Sequence, residues 1–120
     1  MNKKILIIDN DSQSTRFIKE TLSPLGFEII LKKNILSVAK ILKNVNILLI
    51  NSSYKDIIEK KIISRNPDSF IILLSNGKKI NISYTLTERI YGYLEKPIDP
   101  EKLKNTIIKV YEQISQNREN

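Results

Sequence analysis

Six polar side chains stand directly after apolar runs, and they carry most of the chemistry this sequence could do. KILIIDND places Asp9, Asn10 and Asp11 after one run, ILLIN places Asn51, FIILLS places Ser75, and YGYLEKP places Lys96 ahead of Pro97. Carboxylates of this kind are hard oxygen ligands for a cation, or partners for an ammonium group. The amide of Asn51 can hydrogen-bond, but it is a very poor nucleophile. Acid, amide, hydroxyl and base from four separate runs suggest one site, provided the fold brings the ends of those runs together.

Several chemistries are excluded by composition. The chain of 120 residues has no cysteine and no histidine. Disulfides, thiolate metal sites and cysteine nucleophiles are therefore impossible, and imidazole cannot serve as ligand, base or phospho-carrier. The turn after the first run, DNDSQS, is not a glycine-rich phosphate loop. A flavin or nucleotide site of that type is not expected. The formal charge of +7 raises nucleic-acid binding, yet Lys3, Lys32, Lys43, Lys60, Lys79, Lys104 and Lys109 are spread along the whole chain. No stripe of aromatic and basic residues is present to stack bases. A solvated lysine-rich surface is the preferred reading, with direct nucleic-acid binding the weaker alternative. The N-terminal apolar run is too short for a signal peptide and no run reaches the length of a membrane span. The expectation is one cytoplasmic domain over residues 1–120, with 116–120 a fraying polar tail.

Positioning the six side chains falls to five apolar runs that alternate with helical patterns. The runs are Lys4 to Ile8, Glu28 to Leu31, Asn46 to Ile50, Phe70 to Leu74 and Tyr91 to Glu95. The first four are short, β-branched and nearly continuous, as in parallel strands covered on both faces. Between them, Phe17, Ile18, Leu22 and Leu25 recur at helical spacing. Asp11 or Ser12 can cap the start, and Gly26 is expected to supply the stop. Ile35, Val38, Ala39 and Leu42 mark a second helix, and Ile57, Ile58 and Ile62 a third. In KINISYTLTERI the residues Ile80, Ile82, Tyr84 and Leu86 alternate like a strand, while Ile82, Leu86 and Ile90 fit a helix. Position in the series favours a short, irregular fourth helix. The last helix has Pro100 in its first turn after Asp99 and a stripe of Leu103, Ile107, Tyr111 and Ile114. Five β/α units with right-handed crossovers give an α/β, flavodoxin-like, doubly wound parallel sheet of order 2-1-3-4-5. Such sheets carry their sites at the carboxyl ends of the strands.

With these residues in place, the whole chain resembles the receiver domain of bacterial two-component response regulators. KILIIDND is similar to that family's first strand with its acidic pair, ILLIN to the third strand, IILLS to the fourth, and GYLEKPIDPEKL to the fifth strand and following helix start. The resemblance implies the receiver fold. It puts Asp9 and Asn10 at the acidic pair, Asn51 at the phospho-acceptor position, and Ser75 and Lys96 at the groups that contact a phosphoryl oxygen. It also implies a cis bond before Pro97, and makes Tyr93 the aromatic whose rotamer reports activation.

Two positions depart from the family in the same chemical direction. Asn51 has no carboxylate oxygen to attack phosphorus, and Asn10 removes a second anionic oxygen. Family receivers hold a divalent cation with about three carboxylates. Here Asp9 alone is in register, so Mg²⁺ binding is expected to be weak or absent and no other cofactor is implied. The chain thus reads as an atypical or pseudo-receiver. For Asp9, an ion pair with Lys96 is expected ahead of a metal site, and Asp11 is expected to cap a helix. Asn51 either bonds Asp9 or Lys96 and holds the site in one state, or is polar filler at a strand end. The module would act on a protein partner through the fourth helix, fifth strand and fifth helix. A homodimer on that face, or a missing C-terminal output domain, is also implied. The alternative is a working phosphorelay receiver that uses Asp9, Asp11, Ser52 or Ser53.

Overall fold

The computed structural model describes residues 3–33, 45–54, 69–76 and 90–119, with side chains to 116. The expected second, third and fourth helical segments lie outside the described residues. Five strands form one parallel sheet in the order β2-β1-β3-β4-β5: β1 is Lys4–Ile8, β2 Glu28–Lys32, β3 Ile47–Asn51, β4 Phe70–Ser75 and β5 Ile90–Glu95. Two helices complete the described elements, α1 (Ser12–Leu22) and α2 (Pro100–Glu119).

The continuous apolar runs are explained by burial on both faces. Ile5, Ile7, Ile47, Leu49, Ile72 and Leu74 pack on one side with Ile18 and Leu22 of α1 and Leu103, Ile107 and Val110 of α2. Leu6, Ile8, Leu48, Ile50, Ile71 and Leu73 cluster on the other. Successive strand residues point to opposite faces, so a strand with both faces covered cannot place a polar residue mid-run. The polar side chains are pushed to the strand ends. Register then aligns those ends: Ile8 pairs with Ile50 and Lys32, Asn51 with Leu74, and Ser75 with Glu95.

Local chemistry sets the helix ends. Asp11 is extended at the start of α1, and its carboxylate accepts from the backbone N–H groups of Gln13 and Ser14. At the other end, the expectation for Gly26 and Leu25 needs correction. The helix ends at Leu22, because Pro24 has no N–H to continue it. A 3₁₀ turn follows over Ser23–Leu25, and Gly26 closes that turn at φ 91°. Leu25 consequently leaves the apolar stripe and is exposed. Before α2, the Asp99 carboxylate accepts from Glu101 N at 3.1 Å and its carbonyl accepts from Leu103 N at 3.0 Å, with Pro100 in the first turn. The buried stripe of α2 includes Val110, which the spacing argument passed over, while Tyr111 packs only in part. Tyr111 meets Phe27 edge-on at 5.6 Å, and Lys3 Nζ lies 5.2 Å from its ring centroid. Residues 116–119, expected as a frayed tail, continue α2. Ile90, which also fitted a helix, opens β5 opposite Ile71. Among the described residues, no helix is long and apolar enough to cross a membrane.

Candidate functional site

Asp9 follows β1, the second strand of the sheet, at the carboxyl edge between the ends of β2 and β3. Its backbone N–H donates to Lys32 O at 3.3 Å, which ties it to the end of β2. The side chain is fully buried and all its partners are local to this edge. Oδ1 accepts from Asp11 N at 3.0 Å and from Asn51 Nδ2 at 3.2 Å. Oδ2 faces Lys96 Nζ at 2.7 Å, a charge contact without hydrogen-bond alignment. One carboxylate therefore bridges an ammonium group and an amide.

Lys96 arrives from the end of β5. Its backbone N–H donates to Ser75 O at 2.7 Å, which holds the residue beside the end of β4. The Lys96–Pro97 peptide is cis, as the resemblance implied. Only 11% of the Lys96 side chain is exposed. A buried ion pair pays a large desolvation cost, so its contribution depends on the hydrogen bonds that surround it. Here Oδ1 of Asp9 accepts two hydrogen bonds, while Oδ2 has only the charge contact with Lys96, so that condition is met at one of the two oxygens.

Asn51 ends β3 and is buried. While Nδ2 donates to Asp9, its Oδ1 accepts from Ser53 N at 2.9 Å within the 3₁₀ turn Ser52–Tyr54. Tyr54 Oη donates to Lys33 O at 3.0 Å and pins that turn to the end of β2. Of the two sequence readings for Asn51, the bonded one describes the geometry, with Asp9 as the partner. Amide oxygen and amide nitrogen both have definite roles.

Asp11 does more than cap α1. Its Oδ2 accepts from Ser14 Oγ at 2.7 Å and also lies 3.5 Å from Lys96 Nζ. The hydrogen bond from the Ser14 hydroxyl, and then that from Ser14 N, hold the Asp11 carboxyl below its usual value near 3.8, with Lys96 and Gln13 N adding to the effect and partial burial opposing it. Because the folded value is depressed, this contribution to stability is present above the unfolded value and is lost as pH falls through the folded one. Asp11→Ala is expected to cost about 1 kcal/mol at neutral pH, the usual effect of losing such a cap, read from the urea midpoint. Asp11→Asn should keep most of the cap at neutral pH and lose the added acid sensitivity below the ordinary carboxylate range.

The remaining sequence candidates fall in two groups. Ser75 is buried at the end of β4, beside Lys96. Asn10 is exposed and has no share in the network around Asp9, and Tyr93 on β5 is 45% exposed. Spacing could not show that Ser53 contributes through its backbone, nor that Asp11 reaches Lys96. Both depend on turn geometry.

These donors do not fit a centre for Mg²⁺ of the three-carboxylate type. Among the described residues Asp9 is the single buried carboxylate, with Oδ1 taken by two N–H donors and Oδ2 by Lys96. Asn10 offers a neutral exposed amide, and the Asn51 oxygen is used by Ser53. Among the described residues no group of three or more acidic, histidine or cysteine side chains is placed to hold a metal ion.

No family model and no curated protein sequence matches the chain. Solved structures do. A response regulator receiver domain protein from Clostridium thermocellum superimposes with a TM-score of 0.79 at 23% identity, over 94% of this chain and 97% of that one. A receiver domain protein described as CheY-like, from Methanospirillum hungatei, gives 0.72 at 22% identity, over 89% and 93%. NtrX from Brucella abortus, solved in complex with ADP, gives 0.80 at 17% identity, over 99% of this chain and 28% of that one. At these identities the likeness establishes architecture: five parallel strands in the order 2-1-3-4-5 with flanking helices, the fold of response regulator receiver domains.

Proposed function

We propose that this chain is a cytoplasmic signalling module of the receiver type that works without phosphorylation of the position held by Asn51. It acts by binding a protein partner. The observation that carries this reading is the closed network Lys96–Asp9–Asn51–Ser53, whose distances are 2.7, 3.2 and 2.9 Å. In a responsive receiver, an acceptor carboxylate at the end of β3 would have to be free to take a phosphoryl group. Here that position is an amide with both ends bonded. The ammonium that would meet the phosphoryl charge is already neutralised by Asp9.

Such a site behaves as a switch set in one position. Partner recognition then rests on surface and not on a chemical event. The proposed contact is the face of β5 and α2, together with the expected fourth helix, which lies outside the described residues. Tyr91 and Tyr93 on β5 and Ile108 on α2 are exposed at 39%, 45% and 39%. A symmetric dimer on that face is a second arrangement of the same kind. NtrX, of which a chain of this length covers 28%, supports the proposal that a module like this can stand beside an output domain. Binding of Mg²⁺ is proposed to be weak, since the donor set has one free-standing acid position at most, Asp11, and that one caps a helix.

Incubation with acetyl phosphate and Mg²⁺, followed by intact-mass measurement, tests the reading. The expected result is no added phosphoryl group. A hydroxylamine-labile phosphoryl group on Asp9 or Asp11, or a stable one on Ser52 or Ser53, overturns it in favour of a working phosphorelay receiver with a displaced acceptor.

A further inference from the structure

The network at the sheet edge is also a set of reactants. An amine, an amide carbonyl, a carboxyl group that touches both, and an N–H donor on the carbonyl oxygen are the parts needed for aminolysis of an amide. All four are present; Asp9 and Asn51 are buried, and 11% of the Lys96 side chain is exposed. Lys96 Nζ meets Asp9 Oδ2 at 2.7 Å, and Asn51 Nδ2 meets Asp9 Oδ1 at 3.2 Å. The carbonyl oxygen of the same amide accepts from Ser53 N at 2.9 Å. We propose that Lys96 and Asn51 form an intramolecular isopeptide bond, with Asp9 carrying the protons, so that the ends of β3 and β5 become covalently tied. This rests on the geometry alone and is independent of the signalling reading.

The step balances without any further reagent. Movement of the flexible lysine stem brings an ammonium proton into line with Asp9 Oδ2, and its transfer leaves a neutral amine beside the amide. The Nζ lone pair attacks Asn51 Cγ, and the carbonyl electron pair moves onto Oδ1, where Ser53 N–H meets the developing charge. Asp9 then passes its proton to Nδ2, its existing hydrogen-bond partner, and takes a second proton from the cationic Nζ of the tetrahedral adduct. The C–Nδ2 bond breaks, the carbonyl re-forms, and ammonia departs. Of the three protons on the starting ammonium, one stays on the new amide, one leaves with ammonia, and one remains on Asp9. The product therefore holds a neutral carboxyl group and no unpaired buried charge. The two oxygens of Asp9 hold the two reactants side by side, and the attack requires Nζ to move from Oδ2 onto Asn51 Cγ.

The pairing is selective. Lys33 and Lys32 lie at the end of β2, but neither contacts Asp9 Oδ2. Asp11 reaches Lys96 at 3.5 Å, yet it is 42% exposed and engaged by Ser14, so it is not placed to carry protons to the amide.

Intact-mass spectrometry of the purified chain, fresh and after prolonged incubation, tests the proposal. The expected result is a species lighter than the sequence mass by one ammonia, accumulating with time, with a branched peptide joining Lys96 to Asn51 after proteolysis. Lys96→Arg, which keeps the positive charge, should hold the full mass indefinitely, and Asp9→Asn should do the same if it folds. A parent that retains its full mass overturns the proposal. So does an ammonia loss that maps within the Asn51 peptide alone and is cleaved by hydroxylamine, which marks a succinimide, or one that persists in Lys96→Arg.

Discussion

Restoring both acids, by Asn10→Asp with Asn51→Asp, lowers the stability of the metal-free protein and makes that stability depend on Mg²⁺. The buried position carries nearly all of the effect. Asn51 Nδ2 donates to Asp9 Oδ1 at 3.2 Å, so a carboxylate there replaces a donor with an acceptor and sets two like charges in contact. Such a pair at about 4 Å is worth roughly 4 kcal/mol at an effective dielectric of 20, before Lys96 and solvent reduce it. Asn10 is exposed, and Asn10→Asp alone should be close to neutral. With two more acids at the edge, a divalent cation gains two carboxylate ligands beside Asp9. A site filled to about one hundred times its dissociation constant adds roughly 2.7 kcal/mol. Urea midpoints in EDTA and in millimolar Mg²⁺ read both effects, and the parent should be indifferent to the metal. A double variant as stable as the parent in EDTA would mean that relief of charge repulsion is not what the asparagines provide.

The second large effect is expected at Lys96. Lys96→Met removes the cation from a pair whose side chains are 11% and 0% exposed, and leaves Asp9 buried without its charge partner. Breaking a buried pair from one side typically costs about 3–5 kcal/mol. The combined change, Asp9→Asn with Lys96→Met, should recover much of that loss. No charge then remains to be desolvated, and the asparagine oxygen can still accept from Asn51 and Asp11. Masses are checked first, so that unlinked chains are compared. A loss below about 1 kcal/mol for Lys96→Met would place the pair among surface ion pairs, which contribute that little, and the set-switch reading would fall with it.

Much of this architecture follows from local pattern. Runs such as KILII and FIILL fit strands covered on both faces, because every side chain in them except Lys4 is apolar and alternate residues must point oppositely. Their order along the chain, with helical patterns between, leaves few topologies, and 2-1-3-4-5 is the one observed. The candidate residues were legible for the same reason: a strand buried on both sides can release a polar residue only at its end. Asp9, Asn51 and Ser75 follow strands of that kind, whereas Lys96 follows the partly exposed β5 and is marked by its place before Pro97. The caps Asp11 and Asp99 were legible from residue type alone.

Other features could not be read without the fold. The expected end of α1 differs because a proline and a glycine compete as stop signals within three residues; the helix ends ahead of Pro24, and Gly26 closes the 3₁₀ turn that follows. Residues 116–119 are polar and read as a tail, whereas α2 runs through them as a continuation of a packed helix. Asn10 and Asp9 are neighbours of similar type, yet one is exposed and the other buried, since adjacent residues leaving a strand face opposite ways. Sequence determined which side chains gather at this edge. Tertiary structure alone decided that a single carboxylate would touch both Lys96 and Asn51, because that contact joins residues 42 and 87 positions apart through register and turn geometry that no local pattern encodes.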